Sequence, residues 1–234
     1  MNELWNTLAA AGNVSLDLTQ RQRLSKYLDL LMEANATMNL TRIVDRAAAE
    51  VQHVGDALTL LRHLPAGNIA LADVGTGGGV PGIPLAIVRP DISVTLIEST
   101  KKKAVFLERA AAELGLSNVR VRAERAEDVG VSDLRETFDV AVARAVATLD
   151  WLAEWCMPLV KVNGKMLAMK GKRAAEELPA AARAIRLVGG GKPITHPVEL
   201  PGADCLVIIE IPKLKRTDER YPRPPTQTRG RALA

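Results

Sequence analysis

The chain has 234 residues, 31 of them Lys or Arg and 27 Asp or Glu, giving a formal net charge of +4 with 47% hydrophobic and 25% charged residues. This balance excludes a disordered, collagen-like or disulfide-scaffold protein and suits one large α/β domain with at most a small appendage. The two cysteines, Cys156 and Cys205, belong to no C-x-x-C pair and read as reduced, core-filling thiols of a cytoplasmic protein. Met1-Asn2-Glu3-Leu4-Trp5 lacks the basic flank and apolar run of a signal peptide, and the longest uncharged stretch, Val74 to Val88, is broken by Gly and Pro. No targeting segment and no membrane span are expected.

A short helix is expected over about Asn2 to Ala11, stopping at Gly12. Thr19 to Met38 follows as a longer one, with Thr19 and Gln22 at capping-box spacing and Leu24, Leu28 and Leu31 on one stripe. After Asn39-Leu40-Thr41, a third helical region runs from about Arg46 to Leu64 and ends before Pro65 and Gly67. Residues 1–65 therefore read as a helical unit.

From Ile69 onward, short apolar runs alternate with amphipathic helices. The runs are Ile69 to Val74, Val94 to Ile97, Val119 to Val121, Phe138 to Ala143, Lys165 to Met169 and Leu206 to Ile211; helices fall near Gly82 to Arg89, Lys101 to Leu114 and Leu149 to Leu159. Alternation at this spacing predicts, over residues 66–212, an α/β fold with a doubly wound, mostly parallel sheet. Ligands of such sheets bind beyond the carboxyl ends of the strands.

Residues 213–234 make a basic C-terminal tail. From Ile211 onward Lys213, Lys215, Arg216, Arg220, Arg223, Arg229 and Arg231 stand against Asp218 and Glu219, which leaves 24 basic and 25 acidic residues in the rest of the chain. The positive balance thus sits in one short, Pro-containing segment. It reads either as a solubilising, disordered end or as a polycation that recruits nucleic acid.

The first strand leads into Asp73-Val74-Gly75-Thr76-Gly77-Gly78-Gly79-Val80-Pro81-Gly82, a glycine loop between strand and helix where the backbone can approach a nucleotide closely. The dinucleotide fingerprint would need glycine where Val80 stands. A pyrophosphate would also lie close to Asp73, whereas S-adenosylmethionine (SAM) carries a sulfonium and an ammonium that carboxylates stabilise. Asp73-x-Gly75-x-Gly77-x-Gly79 therefore favours a cationic adenosine cofactor. Glu98, 23 residues beyond Gly75, is placed to accept hydrogen bonds from ribose hydroxyls, a role that SAM and NAD sites share. Ala126 and Glu127 follow the third strand, where a backbone N–H and a carboxylate can read the adenine edge.

At these residues the chain resembles the RsmG (GidB) family of bacterial 16S rRNA guanine-N7 methyltransferases. The resemblance rests on Asn39-Leu40-Thr41, His53 with Asp56, the glycine loop extended through Pro81-Gly82-Ile83-Pro84-Leu85-Ala86, Lys102 with Phe106-Leu107, Ala126-Glu127, Ala143-Arg144-Ala145-Val146-Ala147 and Lys170-Gly171, in family order over nearly the whole chain. Ala34, Met38 and Gln52 depart from the family's usual residues in the helical unit. What the resemblance implies is a class I SAM-dependent methyltransferase acting on N7 of a guanine in 16S rRNA or the small ribosomal subunit. It also implies SAM contacts at Gly75, Val80, Ala126, Glu127 and Arg144.

Guanine N7 offers a lone pair and has no proton to remove, so methyl transfer to it asks for positioning rather than a general base. Consistent with this, Ala143-Arg144-Ala145-Val146 carries no Pro-Pro-aromatic motif, and Cys156 has no basic neighbour to make it a nucleophile. Arg144 is expected to position guanine O6, a phosphate or the cofactor, or else to pair with a carboxylate. Lys170, His53 and Asn39 are expected on the RNA side. Lys101-Lys102-Lys103 opens a helix, where the dipole disfavours cations, and so suggests an anionic partner nearby. No metal site and no obligate protein partner are expected. Two other readings fit parts of the pattern: a small-molecule SAM-dependent methyltransferase, and a non-catalytic RNA-binding protein on the same fold.

Overall fold

The computed structural model describes residues 2–228 and 230–233. Seven strands, β1 (Ala70–Val74), β2 (Ser93–Ile97), β3 (Val119–Arg122), β4 (Phe138–Arg144), β5 (Val160–Lys170), β6 (Ile194–Leu200) and β7 (Ala203–Pro212), form one sheet in the order β3-β2-β1-β4-β5-β7-β6. The first five are parallel, and β7 and β6 add an antiparallel hairpin at the edge. Strand order turns back at β1 and β4, whose carboxyl ends leave the crevice in which doubly wound folds bind ligands.

Helices cover both faces, which is why the central strands are apolar throughout. On one face Leu71, Leu96, Val140, Val142 and Leu167 share a core with Leu24, Tyr27 and Leu28. These last three belong to α2 (Leu18–Met38), which with α1 (Asn2–Ala11) opens the helical unit. That unit therefore has no core separate from the sheet's. On the other face Ala72, Ala141, Met166 and Ala168 pack with Leu152, Cys156 and Ile185.

Several expectations need correction. The capping box of α2 is Asp17 with Gln20, two residues ahead of the Thr19–Gln22 pair: Gln20 N donates to Asp17 Oδ1 at 2.7 Å and Asp17 N to Gln20 Oε1 at 3.0 Å. The helical region expected over Arg46 to Leu64 is helical throughout but made of α3 (Arg46–Ala49), a π turn (Glu50–Gly55), α4 (Asp56–Thr59) and a 3-10 turn (Leu60–His63). Besides the single-turn helices Ala126–Val129 and Pro225–Thr228, two longer elements fall outside the expected set. They are strand β6, which includes Pro197, and a helix over Ala174–Leu187 that contains Pro179 and a run of alanines masking its period. Cys156 is buried as expected, but Cys205 is exposed near the tip of the edge hairpin.

The described part of the C-terminal tail is not a loose end. Lys213 is fully buried, donating to Met157 O and Thr217 Oγ1 (2.5 Å each) beside Glu136. Arg216 pairs with Glu136, Arg220 with Asp218, and Arg223 with the buried Glu154. Leu233 joins the second core. The acids that hold this strap are scattered through residues 136–218, so local charge counting could not show that four of its cations, Lys213, Arg216, Arg220 and Arg223, are already paired. Arg229, counted among them in the sequence, lies outside the described residues.

Candidate active site

The glycine loop turns sharply out of β1 toward α5 (Gly82–Val88). Gly75 has φ +69, and a Cβ there would sit 2.7 Å from a methyl of Val146, so glycine is required both for the backbone and for the close approach of the loop after β4. Asp73 shapes the loop from behind. It is fully buried, and its Oδ2 accepts from Thr76 Oγ1 at 2.6 Å and from Gly82 N at 2.7 Å. Burial pushes its pKa up to about 6 against the pull of those hydrogen bonds. Expected to face the cationic ligand, Asp73 instead props the loop and does not line the cavity. From the helical unit, Tyr27 donates its hydroxyl to Gly78 O at 2.8 Å and fixes the far side of the loop.

In front of the loop lies a cavity of about 420 Å³, within the size range of small-molecule sites. It brings together Gly75, Gly77, Val80, Glu98, Ala126, Glu127 and Arg144, seven of the eight residues expected to bind cofactor. Glu98, at the carboxyl end of β2, is nearly buried; its two oxygens accept from Gly77 N (3.1 Å) and Thr100 N (2.8 Å), which leaves lone pairs for a diol. Ala126 and Glu127 open the short helix α7 (Ala126–Val129), the next after α6 (Lys101–Glu113). The carboxylates lining the cavity are Glu98, Glu124 and Glu127, with Lys103, Arg125 and Arg144 as the cations around it.

Sequence reasoning missed Trp155 in this lining. Its indole N–H is buried without a hydrogen-bond partner among the described residues. Trp151, one turn earlier on α8 (Leu149–Cys156), stacks against it at 5.3 Å. The i, i+4 spacing was the available signal.

Arg144 ends β4 and spans to the helical unit. One guanidinium nitrogen donates to Gln52 O (2.5 Å) and Asp56 Oδ2 (3.0 Å), the other to His53 Nδ1 (2.9 Å). Because arginine only donates, His53 Nδ1 must accept, which puts its proton on Nε2, 3.0 Å from Thr41 Oγ1. Burial and the nearby guanidinium lower the His53 pKa to about 4, so the imidazole is neutral with both nitrogens engaged. Asp56 is shifted upward by burial, opposed by Arg144. The π turn widens the helix where Gln52 and His53 meet Arg144.

Beyond Arg144-Ala145-Val146 lies a second cleft of about 740 Å³, so these three residues form a wall common to both cavities. Ala145 holds φ +54, a left-handed conformation for a residue with a Cβ. Lys170 lies in the second cleft, but its ammonium donates to Ala147 O (2.6 Å) and pairs with Glu177 (2.6 Å). It is therefore spent on the protein and not held out for phosphate. Lys172 and Arg173 line the same cleft and are exposed. Asn39 caps α2 in a left-handed conformation and lines neither cavity, whereas its neighbours Leu40 and Thr41 do reach the first.

Comparison with known proteins places this geometry. The family described as GidB, rRNA small subunit methyltransferase G, matches residues 20–197. The chain belongs to this family. It is 42% identical over 228 residues to ribosomal RNA small subunit methyltransferase G of Pelotomaculum thermopropionicum, covering 95% of each chain. The Staphylococcus epidermidis protein of the same name is 41% identical over 216 residues, covering 91% of this chain and 90% of that one. Among solved structures, a SAM-dependent O-methyltransferase of Thermotoga maritima aligns with TM-score 0.51 at 14% identity, over 80% of this chain and 73% of that one. A precorrin-6y C5,15-methyltransferase of Geobacter metallireducens aligns at 0.51 and 15%, over 68% and 87%. These two likenesses concern the fold alone.

As a member of the small-subunit methyltransferase G family, the chain is a SAM-dependent rRNA methyltransferase, and its first cavity fits that cofactor. A Cβ at Gly77 would meet nothing within 4 Å, so the loop faces open space there, and the unpartnered Trp155 N–H waits for an acceptor. The charged group bonded to the glycine loop on its cavity side is a carboxylate, Glu98 accepting from Gly77 N, and this suits a sulfonium and an ammonium better than a pyrophosphate.

Proposed function

We propose that this protein transfers the methyl group of SAM to N7 of a guanine in 16S rRNA, on the small ribosomal subunit or its RNA, in the cytoplasm. The observation that carries this reading is the shared wall: a cofactor cavity and a second, cation-edged cleft meet at Arg144-Ala145-Val146. Glu98 would hold the ribose, Ala126 and Glu127 the adenine, and Gly75 and Gly77 the amino-acid part. When bound, SAM supplies an electrophilic methyl. The chain's own residues exclude water, hold the base in line and keep the wall rigid. Guanine N7 needs no proton removed, and the wall offers no free base, since His53 is neutral with both nitrogens occupied. A target amine or hydroxyl would call for one.

Lys172 and Arg173 take the phosphate-facing role first given to Lys170. Incubating the protein with SAM and small subunits, then mapping modified bases, tests the assignment. A single N7-methylguanine is expected, whereas methyl on an exocyclic amine, or on a small molecule only, would refute it. Among the described residues no helix is long and apolar enough to cross a membrane.

A further inference from the structure

Away from both cavities, three donor side chains converge where the helical unit meets the antiparallel edge of the sheet. His63 ends the 3-10 turn after α4, His196 lies in β6 and Glu210 in β7. His196 pairs with Ile208 and Glu210 with Ile194, so the two side chains are diagonal neighbours on one face of the hairpin. His196 Nε2 is 3.3 Å from Glu210 Oε2, and the two imidazoles stack at 4.3 Å. One donor atom from each of the three residues lies within 4.8 Å of the others.

Two imidazoles and a carboxylate are the donors that zinc-like ions prefer, and bonds of about 2.0–2.1 Å put tetrahedral ligands about 3.3 Å apart. The His196–Glu210 spacing already matches that edge. His63 closes onto the pair by a small rotation of an imidazole at the end of a short turn. All three residues are half-buried, which leaves a solvent side for a water as fourth ligand. Adjacent Arg62 donates instead to Ala10 O and Ala11 O, away from the cluster. Lys165 Nζ, 3.3 Å from the same Oε2 of Glu210, is the one cation that competes with a metal there among the described residues.

We propose that His63, His196 and Glu210 bind a divalent transition-metal ion of the zinc type, which ties the helical unit to the edge hairpin. The site is structural. His196 stands on the same row of the sheet as Arg144 but three strand spacings away, about 14 Å, so the ion takes no part in methyl transfer.

Untagged full-length protein carrying Cys205→Ser, which removes the exposed thiol, is titrated with Co(II) alone and then with Zn(II) as competitor. A visible absorption band saturating at one ion per chain and lost on adding Zn(II) is expected. Loss of a mere supporting partner costs metal sites about 10–100-fold in affinity. His63→Ala and His196→Ala should each cost at least the upper end of that range, and Lys165→Met should tighten binding by removing the competitor. Melting curves without metal confirm that each variant is folded; should His63→Ala be unfolded, His196→Gln on the edge strand carries the test. The chain has three histidines, and the third, His53, is fully engaged, so a surviving signal has no alternative imidazole source. Absence of saturable binding in the parent protein, or unchanged affinity in the folded histidine variants, overturns the site.

Discussion

The residue that decides most about this site is Arg144, which was legible in the sequence as important but not in what it touches. A strand-end arginine can serve substrate, cofactor or scaffold, and the partners that settle the matter, Gln52, His53 and Asp56, are about 90 positions away. Arg144→Ala leaves the Asp56 carboxylate without its cation in a largely buried setting, so a loss of about 3 kcal/mol is expected in urea unfolding, at the lower end for broken buried pairs. In a double-mutant cycle Asp56→Ala should recover part of that loss. His53 adds a pH signature. Its folded pKa of about 4 is below the ordinary 6.5, so the stability it contributes is complete above pH 6.5 and is lost as pH falls through 4. A proton-NMR titration should show its imidazole neutral down to about pH 4; a midpoint near 6.5 would contradict the buried, doubly bonded arrangement. At Gly75, substitution by Ala puts a methyl into Val146 and demands a left-handed backbone. Calorimetric titration with SAM should show affinity lost while the melting curve shifts far less.

At the scale of elements, whatever repeats along the chain was readable and whatever depends on a distant partner was not. The parallel strands β1, β2, β4 and β5 announced themselves by apolar runs whose two faces are covered, while β3, at the sheet edge, alternates Val-Arg-Val-Arg. By contrast, β6 alternates weakly and contains a proline, which only an edge position tolerates. The π turn at Glu50–Gly55 has no local sequence mark; tertiary contacts to Arg144 and Thr41 stabilise it. The helix cap was misplaced by two residues because Asp17-Gln20 and Thr19-Gln22 both offer the capping spacing, and the aspartate wins by starting the helix earlier. Asp17→Ala should therefore cost about 1 kcal/mol, and Thr19→Ala close to nothing, in the same urea assay.

For the molecule as a whole, the distribution of charge misled most. The tail's net positive count suggested a free polycation, but Lys213, Arg216, Arg220 and Arg223 each have acidic partners. The strap also begins beside Asn163 and Gly164, toward the amino end of β5, away from the cavities. Arg223→Ala, which strands the buried Glu154, should destabilise the fold by about 3–5 kcal/mol, and Glu154→Gln in that background should restore part of it. For RNA affinity the sensitive pair is Lys172 and Arg173: replacing both by Ala should reduce the slope of log K against log salt by about 1.4–1.8, with SAM affinity unchanged. The partition Arg144-Ala145-Val146 has a thermodynamic corollary. Whatever fills one chamber becomes part of the boundary of the other, so donor and acceptor occupancy form a closed cycle of four binding constants. The factor by which SAM changes the hold on RNA must equal the factor by which RNA changes the hold on SAM, and a factor different from one would measure in solution how firmly this three-residue septum transmits force between its two faces.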